Sequence, residues 1–214
     1  MITIVGCNKG GAGKSTTAVN LSVALAIRGH SVCLVNADPQ RSASRWVADR
    51  DEAGLEPRIT LVECYENISN TLRDLDKRFD HVIVDVAGRN SLELITGAVV
   101  AHQIIAPHQS SQLDLDTLAE LQEQVTRVRD LNPDLQVWGY QAIASTNHKV
   151  TEAERTDFLN FLKDFPEIQP LQSVGCYRKA YRDAIPLGKS VLEGDNQSAR
   201  DEIDALVKEV FYGG

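Results

Sequence analysis

The segment Lys9-Gly10-Gly11-Ala12-Gly13-Lys14-Ser15-Thr16 is built from residue types that can handle phosphate. Gly10, Gly11 and Gly13 let a backbone turn tightly and aim its N–H groups inward, where phosphate oxygens can sit. A helix beginning at about Lys14 adds its positive N-terminal end. Lys14 is placed to reach the β- and γ-phosphates of a nucleotide, and the Ser15 hydroxyl is placed to coordinate Mg²⁺. A glycine loop alone would read equally well as a flexible turn. The Gly-Lys-Ser ending, set between a strand and a helix, makes the phosphate cradle the stronger reading. Two acids stand where such a cradle needs help. Asp38 lies in Val35-Asn36-Ala37-Asp38-Pro39-Gln40, just past the second predicted strand, where the carboxyl ends of a parallel sheet collect ligands. Asp85 ends the apolar run His81-Val82-Ile83-Val84-Asp85. Either Asp could instead cap a helix, Asp38 one near 41–52, although Gly88 follows Asp85 before any helix.

The elements that must hold these residues alternate along the chain. Short apolar runs at 2–6, 31–36, 59–63, 81–86, 103–106, 136–144 and 171–174 read as strands. Helical patterns fall at 15–28, 67–77, 91–100, 114–130, 151–163, 176–185 and 197–211. Gly29 stands where the first helix needs a C-cap. In the helix at 114–130, Leu115, Leu118, Leu121, Val125 and Val128 recur at three and four residues, leaving a charged face to solvent. Repeated strand–helix units with buried strands imply a single α/β domain over 1–214: a mainly parallel twisted sheet with helices on both faces.

Composition narrows the function classes. Of 214 residues, 43% are hydrophobic and 24% charged, which fits a globular chain and excludes a disordered one. No apolar run approaches the ~20 residues of a membrane span. The start lacks a basic n-region and a cleavage site, so the expected location is cytoplasmic. Cys7, Cys33, Cys64 and Cys176 are widely separated, which argues against a disulfide scaffold, a zinc site or an iron–sulfur site. A net charge of −8 should repel nucleic acid unless the basic residues are segregated. Arg178, Lys179, Arg182 and Lys189 face only Asp183 within twelve residues. They are the candidate DNA-binding stripe, with a solvated face balanced by nearby acids as the alternative.

The glycine loop departs from the ordinary phosphate-loop pattern. Asn8 occupies the position five before Gly13 where a glycine belongs, and a second lysine, Lys9, opens the loop. Lys9-Gly-Gly-Ala-Gly-Lys14-Ser15 resembles the deviant Walker A motif of the ParA/MinD family. The resemblance runs the length of the chain. Val86-Ala87-Gly88 resembles switch II, and Asp38-Pro39-Gln40 resembles the end of the switch I motif, with Asn36 replacing that motif's first acid. Tyr181-Arg182-Asp183-Ala184 and Gly188-Lys189-Ser190-Val191-Leu192-Glu193 with Asp195 are similar to the family's closing signature. The short ParA proteins of plasmid partition are the nearest fit. Nothing resembles MinD's C-terminal membrane helix, and the cysteine pair of the nitrogenase iron-protein relatives is missing.

The resemblance implies an ATPase that uses ATP and Mg²⁺ and dimerises around two nucleotides. Residues 10–16 and Asn147, the latter for the base, would bind the nucleotide. Lys9 would reach the partner subunit's phosphates, with an exposed lysine that merely tunes the loop's charge as the bland alternative. Asp38 would position the attacking water and help Ser15 and Asp85 hold Mg²⁺. Implied partners are a second copy of the chain, DNA bound without sequence preference, and a ParB-type or cargo adaptor that stimulates slow hydrolysis. No membrane is implied, and the ATP state would associate with the nucleoid. Two other functions fit the same motifs: an ATPase that positions a protein cargo such as a chemoreceptor cluster or carboxysome, or a small-metabolite ligase or kinase of the dethiobiotin synthetase type.

Overall fold

The computed structural model describes residues 1–88, 91–109 and 115–213. Seven parallel strands form one sheet: β1 (Ile2–Val5), β2 (Val32–Ala37), β3 (Thr60–Glu63), β4 (His81–Val86), β5 (Gln103–His108), β6 (Gln136–Ala144) and β7 (Gln169–Cys176). Their order is β3-β2-β4-β1-β5-β6-β7. The central strands β1, β2 and β4 are apolar because both of their faces are covered. One face carries α1 (Lys14–Ile27), α2 (Ser42–Glu52), α7 (Lys179–Ala184) and α8 (Gln197–Tyr212). The other carries α3 (Ser69–Asp76), α4 (Leu92–Ala98), α5 (Leu115–Arg129) and α6 (His148–Leu162). The expected single α/β domain with a parallel sheet is therefore observed.

Helix α1 is buried from Thr17 to Leu25. It lies between the sheet and α8, so nearly every turn is apolar rather than one stripe. Gly29 ends it at φ +90, with its N–H donated to the Ala26 carbonyl. Several boundaries differ from the sequence reading. The apolar run at 171–174 is the middle of a longer edge strand, so the following helix starts at Lys179 instead of 176. An edge position tolerates Pro170 in that strand. Helix α6 starts at His148, three residues early, because Asn147 caps it by accepting the Lys149 N–H. Strand β5 continues through Pro107 and His108, the latter opposite Gln141 of β6. Asp114, at the start of the helix read as 114–130, lies outside the described residues.

At the end of the sheet away from the glycine loop, the His81 ring meets His30 edge-on at 4.8 Å and Phe211 at 5.1 Å. Burial, helped by His30 and the N-terminus, lowers its pKa from 6.5 to about 4, and Nδ1 has no partner. The folded chain then binds fewer protons than the unfolded chain between these values, so stability falls as pH drops from 6.5 toward 4. Urea titrations of His81→Phe across that range should show a flatter acid limb than the parent; superimposable limbs would remove His81 from the account.

Candidate active site

Strand β1 ends at Val5, and the chain turns through Cys7–Gly13 into α1. Gly11 and Gly13 adopt φ +70 and +89, left-handed conformations that glycine reaches without strain. Gly13 is the N-cap of α1, so the first free N–H groups of that helix face the cradle. Gly10 has open space around it. The Lys14 ammonium is buried and donates to the Lys9 carbonyl at 2.7 Å, bracing the loop from inside. Gly88 closes over this bond: a Cβ there would lie 3.0 Å from the Lys9 oxygen and 3.1 Å from Lys14 Nζ.

A cavity of about 340 Å³ is lined by Gly10 through Thr16, Asp38, Gln40, Ser42, Gly88 and Ile143. Thus the loop predicted to cradle phosphate and Asp38 do share one site. Asp38 does not cap α2, whose N-cap is Arg41 at φ +57 with no side-chain cap. Its Oδ1 instead accepts the Gln40 N–H at 2.8 Å. Asn36 holds the same turn from beneath, donating to the Asp38 carbonyl at 3.1 Å and to the Tyr65 hydroxyl at 3.0 Å. Asn36 is register-paired with Asp85. An acid at 36 would put a second buried carboxylate beside the first, and the amide avoids that.

Asp85 is fully buried, and among the described residues neither carboxylate oxygen has a hydrogen bond of good geometry, although the Ser15 hydroxyl is close enough to favour its charged form. Burial pushes its pKa up to about 7; Asp38 adds to this, while the Ser15 hydroxyl and Lys14 oppose it. Those influences place Asp85, Ser15, Asp38 and Lys14 around one point. Two orphaned buried oxygens are what a cation would satisfy. Among the described residues no three His, Cys, Asp or Glu side chains form a metal cluster. This donor set suits Mg²⁺, which usually takes one or two carboxylates and completes its shell with phosphate and water. His108, also buried and with Nε2 unpartnered, is held near pKa 4 by burial and by the charges of Lys9 and Lys14, so it stays neutral beside the cradle.

Beside the cradle lies an apolar recess of about 130 Å³ whose walls include Thr16, Tyr140, Ile143, Tyr177, Tyr181 and Arg182. Ile143 borders both cavities because a register irregularity between Gln141 and Ala144 turns it to φ +57. This conformation is strained for a β-branched residue. No periodicity in the sequence signals it. Asn147, the sequence candidate for a base contact, is exposed, caps α6 and does not line the recess.

The four candidate DNA-binding residues separate by environment. Arg178 is paired with Glu202 at 2.6 Å and lines the recess. Arg182 stacks over the Tyr177 ring at 5.3 Å. Lys179 lies 3.6 Å from Asp183, and with Lys189 it borders a groove that also contains Glu193 and Asp195. The acids left open as balancing charges are therefore present, and a substitution at Arg178 would disturb the recess as well as the surface.

Residues 1–138 match the family of ATPase MipZ. The chain belongs to the MipZ ATPase family. It is accordingly a ParA/MinD-superfamily P-loop ATPase with the deviant Walker A loop, and its reaction is Mg²⁺-dependent ATP hydrolysis. Among relatives of this MipZ-family chain, the "Maintenance of carboxysome distribution protein A" of Halothiobacillus neapolitanus is 27% identical over 95% of this chain and 93% of its own length. Protein ParA of Rhizobium radiobacter is 33% identical over 59% of this chain and 60% of its own. In fold the chain matches the ATP complex of Cyanothece McdA with a TM-score of 0.76, at 17% identity, over 97% of this chain and 95% of that one. The expected closest kinship to plasmid-partition ParA proteins is not singled out: a protein named for maintaining carboxysome distribution matches as strongly.

Proposed function

We propose that this ATPase positions a protein cargo, using an ATP-dependent dimer as its switch and DNA as the surface on which the dimer rests. The observation that carries the choice of cargo is the match to a carboxysome-distribution protein along nearly the full length of both chains. Partition of plasmid or chromosomal DNA is the second reading, favoured by the ParA relative over its shorter span.

In this reading the phosphates occupy the loop over α1, and the base enters the recess between Ile143 and the Tyr177–Arg182 wall. Ser15 and Asp85, with Asp38 nearby, hold Mg²⁺, which when bound neutralises charge on the phosphate oxygens. Asp38 orients the attacking water, and Lys14 steadies the phosphates from its own subunit. Lys9 supplies a charge to the partner subunit's nucleotide. An isolated subunit lacks that charge, so turnover alone is slow, and an adaptor protein speeds it by stabilising the completed dimer. DNA affinity comes from phosphate contacts by Lys179, Arg182 and Lys189, with Arg178 chiefly shaping the recess.

The test begins with oligomeric state and DNA retention, measured with a non-hydrolysable ATP analogue, with ADP and without nucleotide across a salt series. A dimer retained on DNA only with the analogue, with retention falling steeply as salt rises, is expected. A nucleotide-indifferent monomer that turns over a small metabolite would overturn the reading in favour of a ligase or kinase. Lys179→Glu/Lys189→Glu should weaken retention while hydrolysis persists. Cargo is decided in cells: loss of the protein should clump a protein assembly while replicons are inherited normally, whereas replicon loss with evenly spaced assemblies selects partition.

A further inference from the structure

Helices α1 and α2 begin on the two sides of the phosphate cradle, α1 at Lys14 and Ser15 and α2 four residues after Asp38. A third segment, residues 188–193, ties them together. In the first turn of α1 the Thr16 carbonyl accepts Asn20 Nδ2 at 2.7 Å. Asn20 Oδ1 accepts the Ser190 hydroxyl at 2.8 Å and the Val191 N–H at 2.9 Å. The Ser190 N–H donates to Glu193 at 2.8 Å, and Glu193 receives both Arg50 terminal nitrogens at 2.9 Å each. Arg50 also donates to the Gly188 and Pro57 carbonyls, both at 3.0 Å. One turn earlier on α2, Trp46 Nε1 donates to the Lys189 carbonyl at 3.2 Å.

Every side chain in this chain is buried except Glu193, which is 16% exposed. The close approach depends on Gly188, which sits at φ +63 where a Cβ would fall 2.3 Å from the Arg50 backbone nitrogen. Stability alone is a poor reason for such a pair, because the desolvation of two buried charges offsets most of their attraction. A bidentate guanidinium–carboxylate fork does, however, fix direction as well as distance. With Trp46 and Arg50 both fastened to residues 188–193, and those fastened to Asn20, α2 has little freedom to slide along α1.

We propose that the Asn20–Ser190–Glu193–Arg50 chain is a strap that positions Asp38 against Lys14 and Ser15 for ATP hydrolysis, a role that rests on Asp38 acting in that step. These are positioning residues, since none lines the phosphate cavity.

The decisive variant is Arg50→Met/Glu193→Leu, which removes both charges and fills their space with apolar atoms. Removing such a pair as a whole often costs little, but here the Gly188 and Pro57 carbonyls and the Ser190 N–H also lose their partners, so a lower melting temperature is expected. In the folded variant the KM for ATP should change little, while kcat falls by about tenfold or more through misplacement. Full kcat in the folded double variant would overturn the strap and leave the pair a structural contact. Should the double variant not fold, Ser190→Ala gives the same decision: a folded protein with reduced kcat and unchanged KM supports the strap, and unchanged kcat overturns it. Asp38→Ala is assayed alongside. If it hydrolyses ATP like the parent, the role assigned to Asp38 fails; if it is inactive while the double variant is fully active, only the strap fails.

Discussion

Asp85→Asn should stabilise the nucleotide-free chain and abolish its ATP hydrolysis. The two effects share one cause. Asp85 is the penultimate residue of β4, with both oxygens buried and lacking a hydrogen bond of good geometry among the described residues. Its folded pKa is about 7 against an ordinary value of 3.8. Because the folded value lies above the unfolded one, ionisation costs nothing below about pH 4, costs increasingly up to pH 7, and costs its full amount above that, on the order of 4 kcal/mol. Asn has nearly the same shape and no charge to bury. Urea unfolding at pH 8, without nucleotide or Mg²⁺, should therefore give a higher midpoint for Asp85→Asn than for the parent, with the gap closing toward pH 4. The parent should recover the difference when Mg²⁺ and ADP are added, since a ligand that binds only the folded state stabilises it by mass action. The variant should gain less from the same addition and should not turn over ATP. An equal or lower midpoint at pH 8 would mean that Asp85 is satisfied by a route other than a cation.

That single acid also marks how far the sequence could be read. The apolar run before it, with a glycine three residues later, was enough to place Asp85 at a strand end facing the loop, because a buried parallel strand has few other ways to appear. The same applies to β1, β2 and α1, whose Gly29 stop follows from local backbone sterics. Residue types that act through neighbours in sequence were legible. Those that act through neighbours in space were not. Asn147 is a base candidate by resemblance, and in the nucleotide-free chain its side chain caps α6. Ile143 reaches the cradle through an irregular register between β6 and β7, a property of two strands at once. Arg178 belongs to a basic run in the sequence, and the Glu202 that pairs with it comes from α8. Arg50 and Glu193 lie 143 positions apart, so no pattern could pair them. In each case the missing information is a partner on another element, which pairing and packing supply and periodicity does not.

Lys9→Ala should separate nucleotide binding from dimerisation. Two contacts that shape the loop are made by the Lys9 main chain. Its carbonyl accepts the Lys14 ammonium at 2.7 Å and, more weakly, the Cys7 thiol. Both contacts use the main chain and survive replacement of the side chain. The loop glycines at φ +70 and +89 and the α1 N-terminus are likewise untouched. A Lys9→Ala monomer should therefore keep the loop that receives ATP and should still bind it. Lys14→Ala, by contrast, removes the brace and the phosphate contact together and should lose nucleotide binding outright. The Lys9 ammonium has its proposed work in the other subunit, where a charge delivered in trans to a phosphoryl group is worth on the order of 10³-fold or more in rate. Adaptor-stimulated hydrolysis by Lys9→Ala should fall by about that factor. Light scattering with a non-hydrolysable analogue should report monomers, and DNA retention should vanish with the dimer. A Lys9→Ala protein that still dimerises and responds to its adaptor would confine the side chain to tuning its own loop, and the nucleotide-bridged dimer would have to be replaced by another arrangement.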